Sequence, residues 1–315
     1  MNILSNSGDL ASDDLALSDI SERDQVWDNH RKNADTVAGY YSNTSLYNSY
    51  ALRMDSCSQV LDFAMVDEEE STKLKLKHSK FCRVRNCPVC QWRRSLRWKF
   101  KAFQILPSIV EKYPKHRWIF LTLTVKNCDI TQLRNTLQLM NKSWHRLVKR
   151  KKFSAVGWLR STEVTRGNDA TAHPHFHCLL LVKSSYFSGK GYMKQAEWAK
   201  LWQSVLRVDY EPVVDVRALS KDKSPEVLIP EILKYCTKAS DLVADKDWFL
   251  EYTKQMHKLR CVSTGGVLKE YLSALENEPE DLIGKSDEED ENSGEDDPHL
   301  YFNWRRKEQK YRLRD

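Results

Sequence analysis

The stretch HPHFHCLLLV, residues 173–182, carries histidines at three alternate positions. Because alternate residues of a β-strand share one face, a strand here would place His173, His175 and His177 side by side. Imidazole nitrogens bind divalent metal ions, carry protons or satisfy the polar edge of a core. We expect His175 and His177 to bind one divalent ion, with His173 as a further candidate ligand at the entrance of the strand.

The preceding strand can supply a carboxylate. The alternating stretch AVGWLRSTEVTR, residues 155–166, predicts a strand, and the short NDATA turn predicts that it pairs with the histidine strand as a hairpin. That pairing would bring Glu163 alongside the histidines. Imidazoles with a carboxylate and open coordination positions suit a catalytic Mg²⁺ or Mn²⁺ ion. The H-x-H pattern also occurs in cupin barrels, but only 10 glycines and several long helical patterns argue against a small β-barrel.

A tyrosine lies in a helical pattern downstream, within PEILKYCTKASDL, residues 230–242. Glu231 and Tyr235 are four residues apart and would share one helical face, with Lys238 nearby. A lone tyrosine in a helix usually packs against other residues. Beside a metal site in a basic protein, however, tyrosine can act as a nucleophile towards phosphorus. The alternative for Glu231 is an ordinary ion pair with Lys234 or Lys238.

A cysteine cluster predicts a second, structural metal site. Cys82, Cys87 and Cys90 form a C-x4-C-x2-C arrangement in FCRVRNCPVCQWRRSLRWKFK. Thiolates two residues apart can both face one tetrahedral Zn²⁺. We expect Cys57 to be the fourth ligand, with His78 as the competitor. Buried free cysteines are the alternative, which the surrounding basic residues disfavour.

The same stretch is rich in arginine and tryptophan, which suits phosphate contact and stacking on exposed bases. A solvated basic face is the alternative. The candidate DNA-binding residues are Arg83, Arg85, Trp92, Arg93, Arg94 and Arg97.

The charge of the chain is unevenly distributed. The formal net charge is +6, but residues 276–297 carry 12 acids and one lysine, and residues 1–36 carry 8 acids and 3 bases. A strongly basic body therefore lies between two acidic segments, which favours a polyanionic partner such as nucleic acid. Because no membrane-length apolar run and no signal peptide are present, we expect a cytoplasmic protein whose eight cysteines stay reduced.

The elements that must position these residues follow from periodicity. Strands are expected over 117–126, 155–166 and 173–183, and helices over 129–150 and 192–208. A further strand over 213–219 and helices over 230–242, 247–259 and 266–276 complete the pattern. This order predicts the α+β class, with an antiparallel-centred sheet and flanking helices.

Three motifs in order resemble those of rolling-circle plasmid replication initiators of the HUH endonuclease superfamily. They are FLTLTVKN (120–127), HPHFHCLLLV (173–182) and EILKYCTK (231–238). The cysteine block looks like the cysteine-rich segment of one plasmid branch of that family, so the resemblance covers roughly residues 51–275.

The resemblance implies a mechanism. His175 and His177, with Glu163, would hold Mg²⁺ or Mn²⁺, and Tyr235 would attack a phosphate of single-stranded or extruded origin DNA. The products would be a 5′-phosphotyrosine and a free 3′-OH primer, and joining or hydrolysis would end the cycle. Lys238 would offset negative charge, and Glu231 would activate water at the last cleavage. Plasmid origin DNA, and a host helicase and polymerase, would be the partners.

The resemblance also implies an HUH-like nicking domain over 113–245. Residues 1–50 are rich in Ser, Asn and Asp without sustained periodicity, which predicts a disordered tail. The other expected parts are a zinc-binding basic segment (51–112), a helical extension (246–275), and an acidic linker with a basic C-terminal tail (276–315). Two alternatives remain open: an HUH transposase or relaxase with the same chemistry, and a non-catalytic, zinc-stabilised DNA-binding regulator.

Overall fold

The structure is a computed structural model in which the following residues are described: 15–68, 71–188, 191–220, 222–233, 236–274 and 298–314. The helices in chain order are α1 (Leu17–Ile20), α2 (Val26–Ser42), α3 (Asn48–Asp55), α4 (Pro88–Lys112), α5 (Leu133–Leu147), α6 (Gln195–Leu206), α7 (Ile229–Ile232), α8 (Ala239–Val243), α9 (Lys246–Gln255) and α10 (Val267–Ala274). The strands are β1 (Val60–Glu68), β2 (Ser71–Ser79), β3 (His116–Thr124), β4 (Ala155–Arg166), β5 (Ala172–Lys183), β6 (Val214–Ala218), β7 (Val262–Gly266), β8 (His299–Arg305) and β9 (Lys310–Leu313).

The chain divides into two compact units, and each contains one sheet. Unit 1 comprises residues 1–97 and 280–315 and has the strand order β2-β1-β8-β9. Unit 2 comprises residues 98–279 and has the order β6-β3-β5-β4-β7. All strand pairs in the described part of the chain are antiparallel, and helices flank them. The predicted α+β class with an antiparallel sheet is confirmed.

The N-terminal part of unit 1 is helical, so the prediction of a disordered tail over residues 1–50 is wrong for residues 15–50. Helix α2 buries Trp27, Ala34, Val37 and Tyr41 on one face, at helical spacing. The high content of Asp, Asn and Ser hid this face. Residues 1–14 lie outside the described part.

His30 of α2 makes the stability of unit 1 depend on pH. Its ring stacks on Trp92 with centroids 4.7 Å apart, and burial lowers its pKa to about 4. The folded state therefore favours neutral imidazole. Its contribution is fully present above the unfolded pKa of about 6.5 and is lost as pH falls towards the folded pKa.

Because of His30, we expect the free energy of unfolding of unit 1 to be about 2 kcal/mol lower at pH 5.0 than at pH 7.5. The His30→Phe variant, which keeps an aromatic ring against Trp92, should lose that component. Hydrogen exchange of peptides from α2, corrected for intrinsic rates, measures the difference. An identical pH response in the two chains would contradict the assignment.

The predicted basic C-terminal tail is also wrong, because residues 298–314 form a hairpin of the unit 1 sheet. Strand β8 pairs with β1, and β9 pairs with β8. Tyr311 is fully buried and donates its hydroxyl proton to the carbonyl oxygen of Ser58 at 2.6 Å. The acidic stretch 276–297 lies outside the described residues.

The unit 2 sheet is covered by helices on both faces. On one face, Leu179 and Leu181 of β5 pack in a core with residues of α4, α7 and α10. On the other face, the Phe176 ring lies 6.3 Å from the ring centroids of both Trp144 of α5 and Trp202 of α6. Helices on both faces explain why β5 is almost continuously apolar beyond His177.

Two predicted domain boundaries are corrected by this arrangement. The units separate between Arg97 and Trp98 rather than after Lys112, because the second half of α4 packs in the unit 2 core. Residues 246–275 are no separate extension, because β7 pairs with β4. The sequence of β7 lacks apolar alternation because two of its residues are glycines. These glycines permit close packing: a Cβ on Gly265 would collide with the indole of Trp158.

No helix in the described ranges has both the length and the apolar run that crossing a membrane requires.

Candidate active site

Three predicted ligands converge on one point of the unit 2 sheet. The β4–β5 register places Glu163 opposite His175, as the hairpin prediction requires. Glu163 Oε2 lies 3.2 Å from His175 Nε2 and 3.0 Å from His177 Nε2. The ligand atoms of the three residues all lie within 4.8 Å of one another. One carboxylate oxygen and two imidazole nitrogens at this spacing fit a small divalent cation.

The outer nitrogen of each imidazole is held by a partner that orients the ring. His175 Nδ1 lies 3.2 Å from the carbonyl oxygen of His173, so this nitrogen donates and leaves Nε2 as the ligand. His177 Nδ1 lies 3.2 Å from Thr122 Oγ1 of β3, and Phe120 stacks on the His177 ring. This is the arrangement expected of metal-binding histidines, whose second nitrogen usually has a hydrogen-bond partner.

The site is largely buried, which raises the cost of an uncompensated charge. Glu163 and His177 are only 5% and 7% exposed. Burial alone raises the pKa of the Glu163 carboxyl, but the hydrogen bonds and charges of His175 and His177 outweigh it and hold that pKa well below its usual range. The carboxylate is therefore ionised and ready to bind a cation.

His173 and Thr124 do not join this group. His173 contributes its carbonyl oxygen to His175 but no ligand atom to the three-residue cluster. The Thr124 hydroxyl donates to the carbonyl oxygen of Val213 at 2.8 Å. Thr122, by contrast, contacts His177, and this contact follows from the β3–β5 register.

The segment that contains the tyrosine is not one continuous helix. Helix α7 ends at Ile232, and α8 begins at Ala239 with Lys238 exposed at its N-cap. The predicted helix over 230–242 is therefore wrong, and with it the shared helical face of Glu231, Tyr235 and Lys238. Glu231 lies in α7, while Tyr235 lies outside the described residues.

The described neighbours of Tyr235 lie close to the metal ligands. Leu233 packs in the core that contains Leu179, on the histidine face of the sheet. The carbonyl oxygen of Cys236 accepts a hydrogen bond from the backbone N–H of Val164 at 2.8 Å. Val164 directly follows Glu163. In a helix this carbonyl would accept from the N–H of Ser240, so its hydrogen bond to the sheet interrupts helical pairing between α7 and α8.

A disulfide crosslinks the same region, which corrects the expectation that all eight cysteines stay reduced. Cys236 and Cys261 are bonded, with Cα atoms 6.2 Å apart. The carbonyl oxygen of Cys261 accepts from the backbone N–H of Thr162 at 2.7 Å. The crosslinked residues therefore contact β4 on either side of Glu163 along the strand.

Unit 1 contains the predicted cysteine cluster. The Sγ atom of Cys57 lies 3.8 Å from Sγ of Cys87 and 3.6 Å from Sγ of Cys90. The Sγ atoms of Cys82 and Cys90 are 3.5 Å apart. All four cysteines are buried, and the cluster includes Cys57 and not His78, which is exposed. Four converging thiols fit a tetrahedral Zn²⁺.

The pKa values of the buried thiols are shifted in opposite directions. Burial raises the pKa of Cys87 well above its usual value. Hydrogen bonds from Cys57, Cys82 and Cys87 lower the pKa of Cys90. Ionising all four thiols in this buried pocket requires a compensating cation, which Zn²⁺ would provide.

Two predicted DNA-binding residues are interior residues of unit 1. Trp92 is 9% exposed and packs edge-to-face on Trp27 with centroids 4.6 Å apart, so it offers no face for stacking on a base. Arg93 is 5% exposed, and its Cζ lies 5.5 Å from the centroid of Trp27. The prediction that Trp92 and Arg93 contact DNA is therefore wrong, because both pack on Trp27 of helix α2, which the sequence did not predict.

The remaining arginines have different surroundings. Arg94 donates to the carbonyl oxygens of Arg85 at 3.2 Å and Arg83 at 2.9 Å. These hydrogen bonds stabilise the loop between Cys82 and Cys87. The Arg83 side chain is exposed, while Arg85 and Arg97 are partly exposed. DNA contact by these residues stays a prediction.

Comparisons with known proteins agree with the motifs. A family model described as "Replication protein" matches residues 73–312. "Protein rep" of Streptococcus pneumoniae serotype 2 is 35% identical over 294 residues, covering 89% of this chain and 90% of the relative. "Protein rep" of Lactiplantibacillus plantarum is 39% identical over 251 residues, covering 74% and 78%. "Protein rep" of Bacillus amyloliquefaciens is 32% identical over 301 residues, covering 84% and 87%. No solved structure matches significantly.

Proposed function

Because the chain belongs to the replication protein family, and its resemblance to initiators of rolling-circle plasmid replication is thereby confirmed, we propose that it nicks origin DNA through a tyrosine transesterification. The observation that carries the proposal is the convergence of Glu163, His175 and His177 beside the backbone that leads to Tyr235. A binding protein without catalysis would have no need for this combination.

The three ligands would hold Mg²⁺ or Mn²⁺, and the bound ion would polarise the scissile phosphate. The work of the chain is to fix these ligands. Thr122 and the His173 carbonyl hold the two rings, and the β4–β5 register holds the carboxylate. Such preorganisation avoids a reorganisation cost when negative charge develops on the phosphate.

Tyr235 is the proposed nucleophile. The support is its described neighbour in the sequence: the carbonyl oxygen of Cys236 accepts a hydrogen bond from the backbone N–H of Val164, the residue after Glu163. In the proposed step, the phenolate oxygen of Tyr235 bonds to phosphorus, the P–O3′ bond breaks, and the leaving 3′-oxygen takes up a proton. The products are a 5′-phosphotyrosine and a 3′-OH that a polymerase extends. Lys238 is exposed and available to offset charge on the phosphate.

The proposal is tested by incubating the full-length chain with supercoiled plasmid carrying the candidate origin and Mn²⁺. We expect open-circular product and a DNA-linked peptide that contains residue 235. Tyr235→Phe should form no adduct and should bind the origin as the wild type does. An adduct at another tyrosine would remove Tyr235 from its role, and intact plasmid would favour the non-catalytic regulator.

Glu231 is proposed as the general base that activates water in the terminating cleavage. The Glu231→Ala variant should therefore nick at the wild-type rate but remain covalently attached to DNA after one round. Gel separation of free and DNA-linked protein over time measures this. Normal release would leave Glu231 with a structural role only.

Unit 1 is proposed to contribute to origin binding. The support is its zinc-type cluster next to the exposed Arg83 and the partly exposed Arg85 and Arg97. These cations suit phosphate contacts, which position a protein on DNA without reading its sequence.

A host helicase and polymerase are the proposed downstream partners. The alternative, a transposase or relaxase, differs in its DNA substrate, and the replication protein matches favour an initiator.

A further inference from the structure

Unit 2 contains a cavity of about 530 Å³ at the end of the sheet where β3 begins. The last turn of α4, the start of β3 and the loop from β6 to α7 surround it. Lys115, His116, Arg117 and Lys223 line the cavity, and Asp222 is the only acid among its lining residues. This volume lies within the range of roughly 300–1,000 Å³ that is usual for small-ligand sites.

The cavity is separate from the candidate metal site. Trp118 of β3 lines the cavity, whereas Thr122, four residues further along β3, contacts His177. A strand rises about 3.3 Å per residue, so the two positions are about 13 Å apart. The buried side chains of Phe120 and Leu179, which are paired between these two positions, fill the core there.

The polar wall of the cavity is positively charged through Lys115, Arg117 and Lys223. The Arg117 guanidinium is fixed, because Nη2 donates to the carbonyl oxygen of Leu219 at 3.0 Å and Cζ lies 4.0 Å from the Phe187 ring centroid. A positively charged wall with a guanidinium held in place suits an anionic group such as a phosphate.

The remaining wall is apolar and aromatic. It includes Ile109 and Tyr113 of the α4 end and Pro225 of the β6–α7 loop. The Tyr113 ring lies edge-to-face with His116, with centroids 5.1 Å apart. A bare inorganic anion would leave this half of the cavity without contacts, so the wall calls for a ligand that joins a phosphate to a flat organic ring.

We propose that this cavity binds a nucleotide, with its phosphate near Lys115, Arg117 and Lys223 and its base against Tyr113. The nucleotide would come either from free solution or from a DNA strand that extends beyond the nick site. The loop that forms one wall continues directly into α7, so a bound nucleotide would contact the chain that leads to the tyrosine.

The test is calorimetric titration of the full-length chain, without added Mg²⁺ or Mn²⁺, so that cleavage does not interfere. The probes are dAMP, a ten-residue oligothymidylate and inorganic phosphate. The variant is the double charge reversal Lys115→Glu with Lys223→Glu, two exposed side chains whose replacement should not disturb folding. Lys200→Glu, an exposed lysine of α6 outside the cavity, is the matched control.

We expect saturable binding of dAMP or of the oligonucleotide that falls at least tenfold in the double variant and stays unchanged in the control. If dAMP binds the cavity about as tightly as the oligonucleotide does, free nucleotides are the source. If a cavity-dependent component is seen only with the oligonucleotide, the source is DNA. Absence of any component sensitive to the double variant, or equal binding of phosphate and dAMP, would overturn the proposal. The outcome is independent of nicking, because no cleavage step is measured.

Discussion

The His177→Ala variant is expected to nick origin DNA about a thousandfold more slowly than the wild-type chain, because loss of roughly 4 kcal/mol of transition-state stabilisation corresponds to this factor. Removing the imidazole deletes one of three ligands and leaves the buried Glu163 carboxylate with a single histidine partner. Initial rates of open-circle formation at several Mn²⁺ concentrations measure the effect.

His173→Ala is the matched control for this prediction. It removes an imidazole from the same face of the same strand but keeps the backbone carbonyl that orients His175. Its cleavage rate should stay within a fewfold of wild type. Hydrogen exchange of β5 peptides in both variants separates a lost ligand from a lost fold. Wild-type cleavage by His177→Ala would refute the metal site, and an equal loss in His173→Ala would make His173 a fourth ligand.

Replacement of Cys87 by serine is expected to unfold much of unit 1. Structural Zn²⁺ contributes roughly 10–16 kcal/mol to the folding of small zinc domains, which is comparable with the total stability of about 5–15 kcal/mol of a typical domain. Without one ligand, the other three thiols would remain buried with no compensating cation. We expect the loss of one equivalent of zinc and of most amide protection in β1 and α2.

Unit 2 provides the internal reference, because amide protection in β5 should not change. Cys128→Ser is the matched variant: Cys128 is half-buried and belongs to neither candidate metal cluster. Its zinc content should equal that of the wild type. Full zinc content and protection in Cys87→Ser would show that the four cysteines are packing residues.

The metal site could be predicted from the sequence because its residues are close together along the chain. The spacing of His175 and His177 implies a shared face on any strand, and a five-residue turn leaves few registers for the hairpin. The structure has the register that places Glu163 opposite His175. The His177–Thr122 contact depends on the pairing of β3 with β5, which no local pattern in the sequence specifies.

The errors concern residues whose partners are distant in sequence. Trp92 and Arg93 have the composition of a nucleic-acid contact, yet both pack on Trp27, more than 60 residues away. Similarly, the interruption between α7 and α8 includes a hydrogen bond between Cys236 and Val164 on another element. Local propensity contains no information about such partners.

The hairpin of β8 and β9 has a consequence for synthesis of the protein. His299 Nδ1 forms a hydrogen bond with Asp62 Oδ1 at 2.6 Å, across 237 positions of the chain, and β1 has no second neighbour until β8 exists. During translation, residues 98–274 can therefore collapse while unit 1 still lacks two of its four strands. We expect unit 1 to complete its sheet only after β8 and β9 have been made, and until then the unpaired edge of β1 exposes backbone groups that can pair with other chains.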